Sequence, residues 1–549
     1  MLLFAIAAVL MRGLGGDALI DPDEGRNAAV GAAMAETGDW IIPHYDGLPY
    51  LDKPVVFFAA VGTTTALLGR NELAARLPAL LFTLATAVLV YLLGRRLYDQ
   101  RTALLASVVM LSCPLIVAFS RIVIFDAAMM FWVAASLCGL YLALEEQSAA
   151  GALAAWAAAG LAVLTKGPVG LVLPLLVALA HAMACGRPLK HMRPLAGCLL
   201  LTAVVFPWFL AVTLEHPEFP HYALIRESLE RVATDRMQRT GPVYYFAVLL
   251  AGGAFPWITI AAVSRATIAN WWTDRRGNRA PETFLLLWII VPLLFFSISQ
   301  SKRPGYILPV FPAVALLSAH LALTSPHALR TAAAVTGLAA AAVALTGLIG
   351  ADAIAAGIDA NYTELAAIIP ETAIRLSTGF AAVAVLAFAG WWKTSTDAAV
   401  VAMVSVVLVV AVVGGPVVSA VAEQRSSRAL ARAIAATEEG SGRPLRVVAV
   451  NSLPASPPFY RRGRIVVASD GAHAIRSNYI QDYSERLMSV PDSPLRPTRW
   501  WTEALVRCRV PTVFVADRRD TGVTDRLAEA LSRIEGAPGR YVAYGPCGI

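Results

Sequence analysis

Pro54-Val-Val-Phe-Phe-Ala-Ala-Val-Gly-Thr-Thr-Thr-Ala-Leu-Leu68 is an apolar stretch with Asp52 and Lys53 before it and Arg70 and Glu72 after it. A helix at 1.5 Å per residue needs about 20 residues to cross a hydrocarbon core of about 30 Å. This one is shorter and rich in threonine. Whether it crosses a membrane decides on which side every later loop lies.

Apolar runs of spanning length fall at 74–94, 103–119, 127–145, 150–165, 168–184, 194–213, 243–263, 283–299, 306–324, 331–349, 373–392 and 398–422. With the first segment they predict about thirteen spans. Cations then set the sides. Arg95, Arg96 and Arg101 share one connection, Arg187, Lys190 and Arg193 a second, and Arg265, Arg275, Arg276 and Arg279 a third, with Arg330 and Lys393 marking two more. Short loops rich in Lys and Arg stay cytoplasmic. With the N-terminus inside, all five connections obey only if 54–68 does not cross. Residues 20–73 therefore read as one external segment with interfacial helices. The same parity puts Asp21 to Lys53, Arg121 to Asp126, Lys166, the loop 214–242 and Ser301 to Tyr306 on that external face.

Composition agrees. Of 549 residues, 57% are hydrophobic and 15% charged, against about 25% charged in soluble domains, and the mean hydropathy is +0.62. The isoelectric point near 9.1 does not indicate nucleic acid, because the arginines sit in short connections where they signal topology. Met1 to Leu10 lacks the basic start and small-residue cleavage site of a signal peptide. The first span either continues through Ile20, carrying Arg12, or begins upstream of Met1. Cys113, Cys138, Cys185 and Cys198 fall in apolar runs and read as small packing residues.

After Ala422 the pattern changes. Short β-rich runs at 446–450, 465–468 and 512–515 alternate with helix-like segments 426–439 and 524–534. The expected organisation is a membrane domain over 1–422 and a small α/β domain over 423–549, external and therefore periplasmic. In an oxidising compartment its two cysteines, Cys508 and Cys547, are candidates for a disulfide. The alternative is two free thiols.

Several charged motifs compete with bland readings. Asp21, Asp23, Glu24 and Arg26 are either the capped start of a helix or functional charge at a membrane boundary. Asp126, at the mouth of an apolar helix with Arg121 nearby, needs a partner; two separated carboxylates could serve as base and orienting group. His44, Tyr50, Asp52 and Lys53 read equally as an interfacial loop or as a cation presented to a phosphate. Lys166 reads as a topology exception or headgroup contact, and the charges of 214–242, Arg239 among them, as an amphipathic helix. Lys302 and Arg303 defy the positive-inside rule, which points to an anion such as a lipid phosphate.

In this order the motifs resemble the C-type glycosyltransferases of bacterial inner membranes, specifically the lipid A aminoarabinose transferases and the related protein O-mannosyltransferase-like family. The resemblance is carried by Asp21-Pro-Asp-Glu24 with Arg26, Gly38-Asp-Trp-Ile-Ile-Pro-His44, Gly47-Leu-Pro-Tyr-Leu-Asp-Lys53-Pro54, Asp126, Thr165-Lys-Gly167, Phe206-Pro-Trp208, Gln238-Arg239 before Tyr244-Tyr245, and Lys302-Arg-Pro-Gly-Tyr306. Two positions depart from it: Asp52 stands where the family often has Glu, and Lys302-Arg303-Pro304-Gly305-Tyr306 where it usually has Lys-Leu-Pro-x-Tyr.

The resemblance implies a monomeric, multi-pass enzyme with its N-terminus in the cytoplasm. It implies inverting transfer of a sugar, 4-amino-4-deoxy-L-arabinose, from undecaprenyl phosphate to a lipid A phosphate on the periplasmic face. Mannose, galacturonic acid or a protein acceptor are the alternatives within the class, and a lipid-linked-sugar flippase the alternative outside it. Asp23, with Asp126 and Glu24, would be catalytic. Lys53, Lys302, Arg303, Tyr306, Arg239, Arg26 and Tyr50 would hold the donor phosphate and lipid. A divalent metal is open, with His44, Asp23 and Asp126 as candidate ligands.

Overall fold

Nine helices among the described residues are long and apolar enough to cross a membrane: Glu72–Leu97, Asp126–Glu146, Ala149–Lys166, Leu189–Glu215, Ala280–Ile298, Pro304–Thr324, Pro326–Ala351, Ala366–Trp392 and Thr396–Val413. The computed structural model describes residues 2–230, 241–275, 277, 279–356, 363–536 and 539–548. The chain is a polytopic α-helical membrane protein. The remaining apolar runs form shorter or broken helices. Leu2–Met11 and Val169–Cys185 are single helices below spanning length. The run 103–119 divides into Gln100–Leu111 and Pro114–Phe119, and 243–263 into Tyr245–Gly253 and Ile258–Val263. A proline stands at each break, Pro114 and Pro256, where the missing N–H interrupts the helical ladder.

The chain forms two compact units, one of Met1–Gly13 with Ala79–Val417, the other of Leu14–Pro78 with Val418–Ile549. The division near 422 that the composition suggests thus has a counterpart at 417/418, but residues 14–78 group with the C-terminal domain.

In the first unit, helices Asp126–Glu146 and Ala149–Lys166 close on each other at two glycines. A side chain on Gly139 would meet the Gly151 carbonyl at 2.5 Å, and one on Gly151 the Gly139 carbonyl at 3.0 Å. Small residues at such crossings let backbones approach, which is how helices bind each other in lipid. Two buried tryptophans tie further helices together: Trp257 donates to the Ser112 hydroxyl at 3.0 Å and Trp288 to the Pro309 carbonyl at 2.7 Å. Each satisfies its indole N–H where water cannot reach it.

In the second unit, strands β3 (Arg446–Val450), β4 (Ile465–Ala468), β5 (Leu495–Arg496), β6 (Thr512–Asp517) and β7 (Tyr541–Cys547) form one sheet in the order β5-β4-β3-β6-β7. The first four run parallel and β7 is antiparallel to β6. Continuous apolar runs suit parallel strands covered on both faces. Phe514, Val448 and Val450 pack there with Trp501 and Leu527. A disulfide joins Cys508 to Cys547, with Cα atoms 6.0 Å apart.

Residues 14–78 fold onto this domain as helix Asp23–Thr37, a hairpin of β1 (His44–Tyr45) with β2 (Leu48–Pro49), and helix Val56–Leu68. That last helix has 13 residues, about 20 Å of rise against a core of about 30 Å. By length it falls short of a span, as Leu2–Met11, Gln100–Leu111 and Val169–Cys185 also do. Its partner is helix Asp23–Thr37, approached through Gly31 and Gly62.

Candidate active site

The acidic motif lies at the start of helix Asp23–Thr37, and its carboxylates have separate fates. Glu24 is 2% exposed. Both its oxygens accept from Arg76, at 2.9 and 3.0 Å, while the same guanidinium reaches the carbonyls of Leu14, Asp17 and Ala18. A buried pair this fully bonded holds structure, so Glu24 has no oxygen to offer a substrate. Asp21 accepts from the hydroxyls of Ser427 at 2.7 Å and Ser456 at 3.1 Å. Burial pushes its carboxyl up to about 6, against the pull of those hydrogen bonds. Asp23 differs. Its side chain is 37% exposed and bonded at 2.6 Å to Arg26, which also donates to the Arg476 carbonyl at 2.9 Å and lies 5.7 Å from the centre of the Tyr50 ring.

Asp52 and Lys53 follow the hairpin. The Asp52 carboxylate accepts from the backbone N–H groups of Asn478 at 3.2 Å and Tyr479 at 2.9 Å, the favoured place for a negative charge on a helix start. Lys53 donates from Nζ to the Asp52 carbonyl at 2.7 Å, so the lysine is anchored beside a carboxylate that grips the C-terminal domain. His44 lies 3.6 Å from Asp39.

In the other unit, Asp126 is 5% exposed and forms an ion pair with Lys166. The partner a buried carboxylate requires is thus the lysine that the sequence reads as a topology exception. Arg121, the neighbour that the sequence offers, donates to the Arg12 carbonyl. The Lys166 ammonium also sits 4.7 Å from the centre of the Tyr306 ring, within cation–π range. Gly305 explains how Tyr306 comes so near: any side chain there would collide with the Asp126 carboxyl group. Tyr306 is backed by Phe296 at 5.2 Å and Phe246 at 6.4 Å between ring centres. Lys302 donates to the carbonyls of Ser297 at 3.1 Å and Ser299 at 2.7 Å, and Arg303 follows in the half-buried turn.

The site residues therefore form two constellations. Asp23, Arg26, Tyr50 and Lys53 belong to one unit, and Asp126, Lys166, Lys302, Arg303 and Tyr306 to the other. Arg239 lies outside the described residues. No group of three His, Cys, Asp or Glu side chains among the described residues is arranged to hold a metal ion. Of the candidate ligands, His44 and Asp23 lie in one unit and Asp126 in the other. Lys166 is the residue that spacing alone missed; its signal was the Thr165-Lys166-Gly167 motif.

Residues 52–210 match the model of the dolichyl-phosphate-mannose-protein mannosyltransferase family. An undecaprenyl phosphate-alpha-4-amino-4-deoxy-L-arabinose arabinosyl transferase of Erwinia tasmaniensis is 34% identical over 312 residues, 55% of each chain. One of Pseudomonas fluorescens is 35% identical over 324 residues, 58% of each. The match thus spans a little over half the length of these relatives. The crystal structure of ArnT from Cupriavidus metallidurans bound to undecaprenyl phosphate superposes with a TM-score of 0.81 at 23% identity, covering 99% of this chain and 97% of that one. Along its whole length the chain has the fold of that ArnT, and over the matched stretch its sequence is similar to the aminoarabinose arabinosyl transferases.

Proposed function

We propose that the protein is an inverting glycosyltransferase of the bacterial inner membrane that moves 4-amino-4-deoxy-L-arabinose from undecaprenyl phosphate to a phosphate of lipid A on the periplasmic face. An oxygen of the acceptor phosphate attacks the anomeric carbon. The bond from that carbon to the donor phosphate breaks, and undecaprenyl phosphate leaves with the electron pair. The acceptor is already anionic at neutral pH, so no strong base is required. Asp23 orients the acceptor and takes its residual proton, and Arg26 aims that carboxylate. Lys53, Lys302 and Arg303 are the fixed cations that neutralise the leaving phosphate, with Arg239 as a further candidate and Tyr306 as a hydroxyl for the donor. Asp126 holds Lys166 against the Tyr306 ring. Tyr50 supports Arg26.

The observation that carries this reading is the partition among neighbouring carboxylates: Glu24 is consumed by Arg76, whereas Asp23 keeps an exposed side chain aimed by an arginine. Mass spectrometry of lipid A from cells with and without the protein tests it. The expected result is an aminopentose on a lipid A phosphate only when the protein is present; unmodified lipid A in both would refute the assignment. The matched mannosyltransferase family favours a second reading, transfer of mannose to protein, which the same cells would reveal as glycosylated envelope protein with unchanged lipid A.

A further inference from the structure

Residues 423–549 contain no lysine; every fixed cation among them is an arginine. Strands β3, β4 and β6 lie side by side and parallel, so the residues that lead into them share one edge of the sheet. Those residues are Arg443 and Arg446, Arg462 and Arg464, and Arg507 and Arg509, all exposed. A row of exposed arginines is by itself only a solvated face.

Its surroundings make it more. Arg461 donates to the Leu445 carbonyl at 2.7 Å and offers its own carbonyl to Arg70 at 3.3 Å. Arg70 stands one glycine beyond Leu67 and Leu68, which are 76% and 49% exposed. The ring of Trp40, 42% exposed beside Ile41 at 49%, lies against Gly62 of the same short helix. On the hairpin side, Gly47 packs on the Arg464 guanidinium, 2.6 Å from where a Cβ would stand. The arginine-rich end of the sheet and an exposed group of tryptophan, isoleucine and leucine thus belong to one unit and are linked through Arg70 and through Gly47 against Arg464.

We propose that this edge docks on anionic lipid headgroups, with Trp40, Ile41, Leu67 and Leu68 at the interface and Arg443, Arg446, Arg462 and Arg464 on lipid phosphates. Aromatic and aliphatic groups beside cations are the composition of a membrane interface, and cations near an anionic leaflet gain from its surface potential. Arginine rather than lysine suits phosphate, because its planar fork donates to two oxygens at once. The proposal requires no particular sugar or acceptor, so it stands or falls apart from the transferase assignment.

The test uses the full chain in phosphatidylcholine nanodiscs made with and without phosphatidylglycerol. Hydrogen exchange over residues 443–464 and native mass spectrometry of co-released lipid are the readouts. The wild type should exchange more slowly over 443–464 when phosphatidylglycerol is present, and should carry it out of the disc. The variant with Arg443→Gln, Arg446→Gln, Arg462→Gln and Arg464→Gln should lose the protection and retain several-fold less lipid, and the four-lysine counterpart should fall between. Equal protection of the wild type in both discs would overturn the proposal, whether or not the variant folds. So would equal lipid retention by a glutamine variant whose unfolding midpoint matches the wild type. Inorganic phosphate reproducing the protection in phosphatidylcholine alone would overturn it too, since the edge would then be a site for free anion.

Discussion

Lys166 and Asp126 are 40 residues apart in sequence and joined in space. A buried ion pair contributes little net stability, but removing one partner strands the other, typically at about 3–5 kcal/mol. Lys166→Met should therefore lower the unfolding midpoint and abolish transfer, while adding Asp126→Asn should recover the midpoint without recovering turnover. Recovery of both would make the pair purely structural. The acidic motif makes the complementary prediction. Asp23→Asn should abolish turnover at a smaller cost to the midpoint than Glu24→Gln, because Asp23 is 37% exposed although its partner Arg26 is 12% exposed. Glu24→Gln should destabilise by about 3–5 kcal/mol, since Arg76 would keep a buried charge with no anion. A stable, inactive Glu24→Gln would reverse the assignment of the two. The motif was legible in sequence, but the division of labour within it was not: Arg76 lies 52 residues from Glu24, and which neighbour it takes is a tertiary matter. Lys166 reads in sequence as a topology exception for the same reason, its partner Asp126 lying 40 residues away.

At the scale of elements, segment 14–78 is fastened to the α/β domain by carboxylates at successive points: Asp21 on two serines, Asp46 on the first N–H of β4, and Asp52 on the start of helix Asn478–Asp482. Asp46 accepts from Ile465 at 3.0 Å, and burial pushes its carboxyl up to about 8. The folded state therefore holds a proton that the unfolded chain releases near pH 4. Its contribution to stability is complete below that range and is lost as pH rises through about 8; Asp21 acts likewise, its loss complete once pH passes about 6. The full chain in detergent should unfold at a lower temperature at pH 8.5 than at pH 5. Asp46→Asn keeps an acceptor for Ile465 and carries no charge, so it should raise the midpoint at pH 8.5 by a few degrees and leave it unchanged at pH 5. A midpoint that falls equally at both would mean that the charged carboxylate is the stabilising form. The elements themselves were largely readable: the apolar runs located the helices, and β3, β4 and β6 stand where the valine-rich runs predicted. Proline decided what hydropathy averaged over, breaking 103–119 and 243–263. The two-residue β5 was too short to leave a pattern, and β7, with Gly545 and Pro546 inside it, reads as a turn.

For the whole molecule, the decisive element is again 54–68. As a helix of 13 residues it falls several residues short of a span, and it packs within the same unit as the C-terminal domain. Read as an interfacial helix, it reverses no polarity. The cationic connections at Arg95–Arg101, Arg187–Arg193 and Arg265–Arg279 then share one side of the membrane, as the positive-inside rule demands. If 54–68 did cross, those three connections would all face the periplasm, contrary to the bias that orients the inserting chain. Reporter fusions discriminate cleanly. Fusions after Arg101, Arg193 and Arg279 should be active as cytoplasmic reporters, and a fusion after Ser426 as a periplasmic one. A periplasmic signal after Arg101 would make 54–68 a true span, invert every later loop, and remove Lys302 and Arg303 from the face where the proposed acceptor lies.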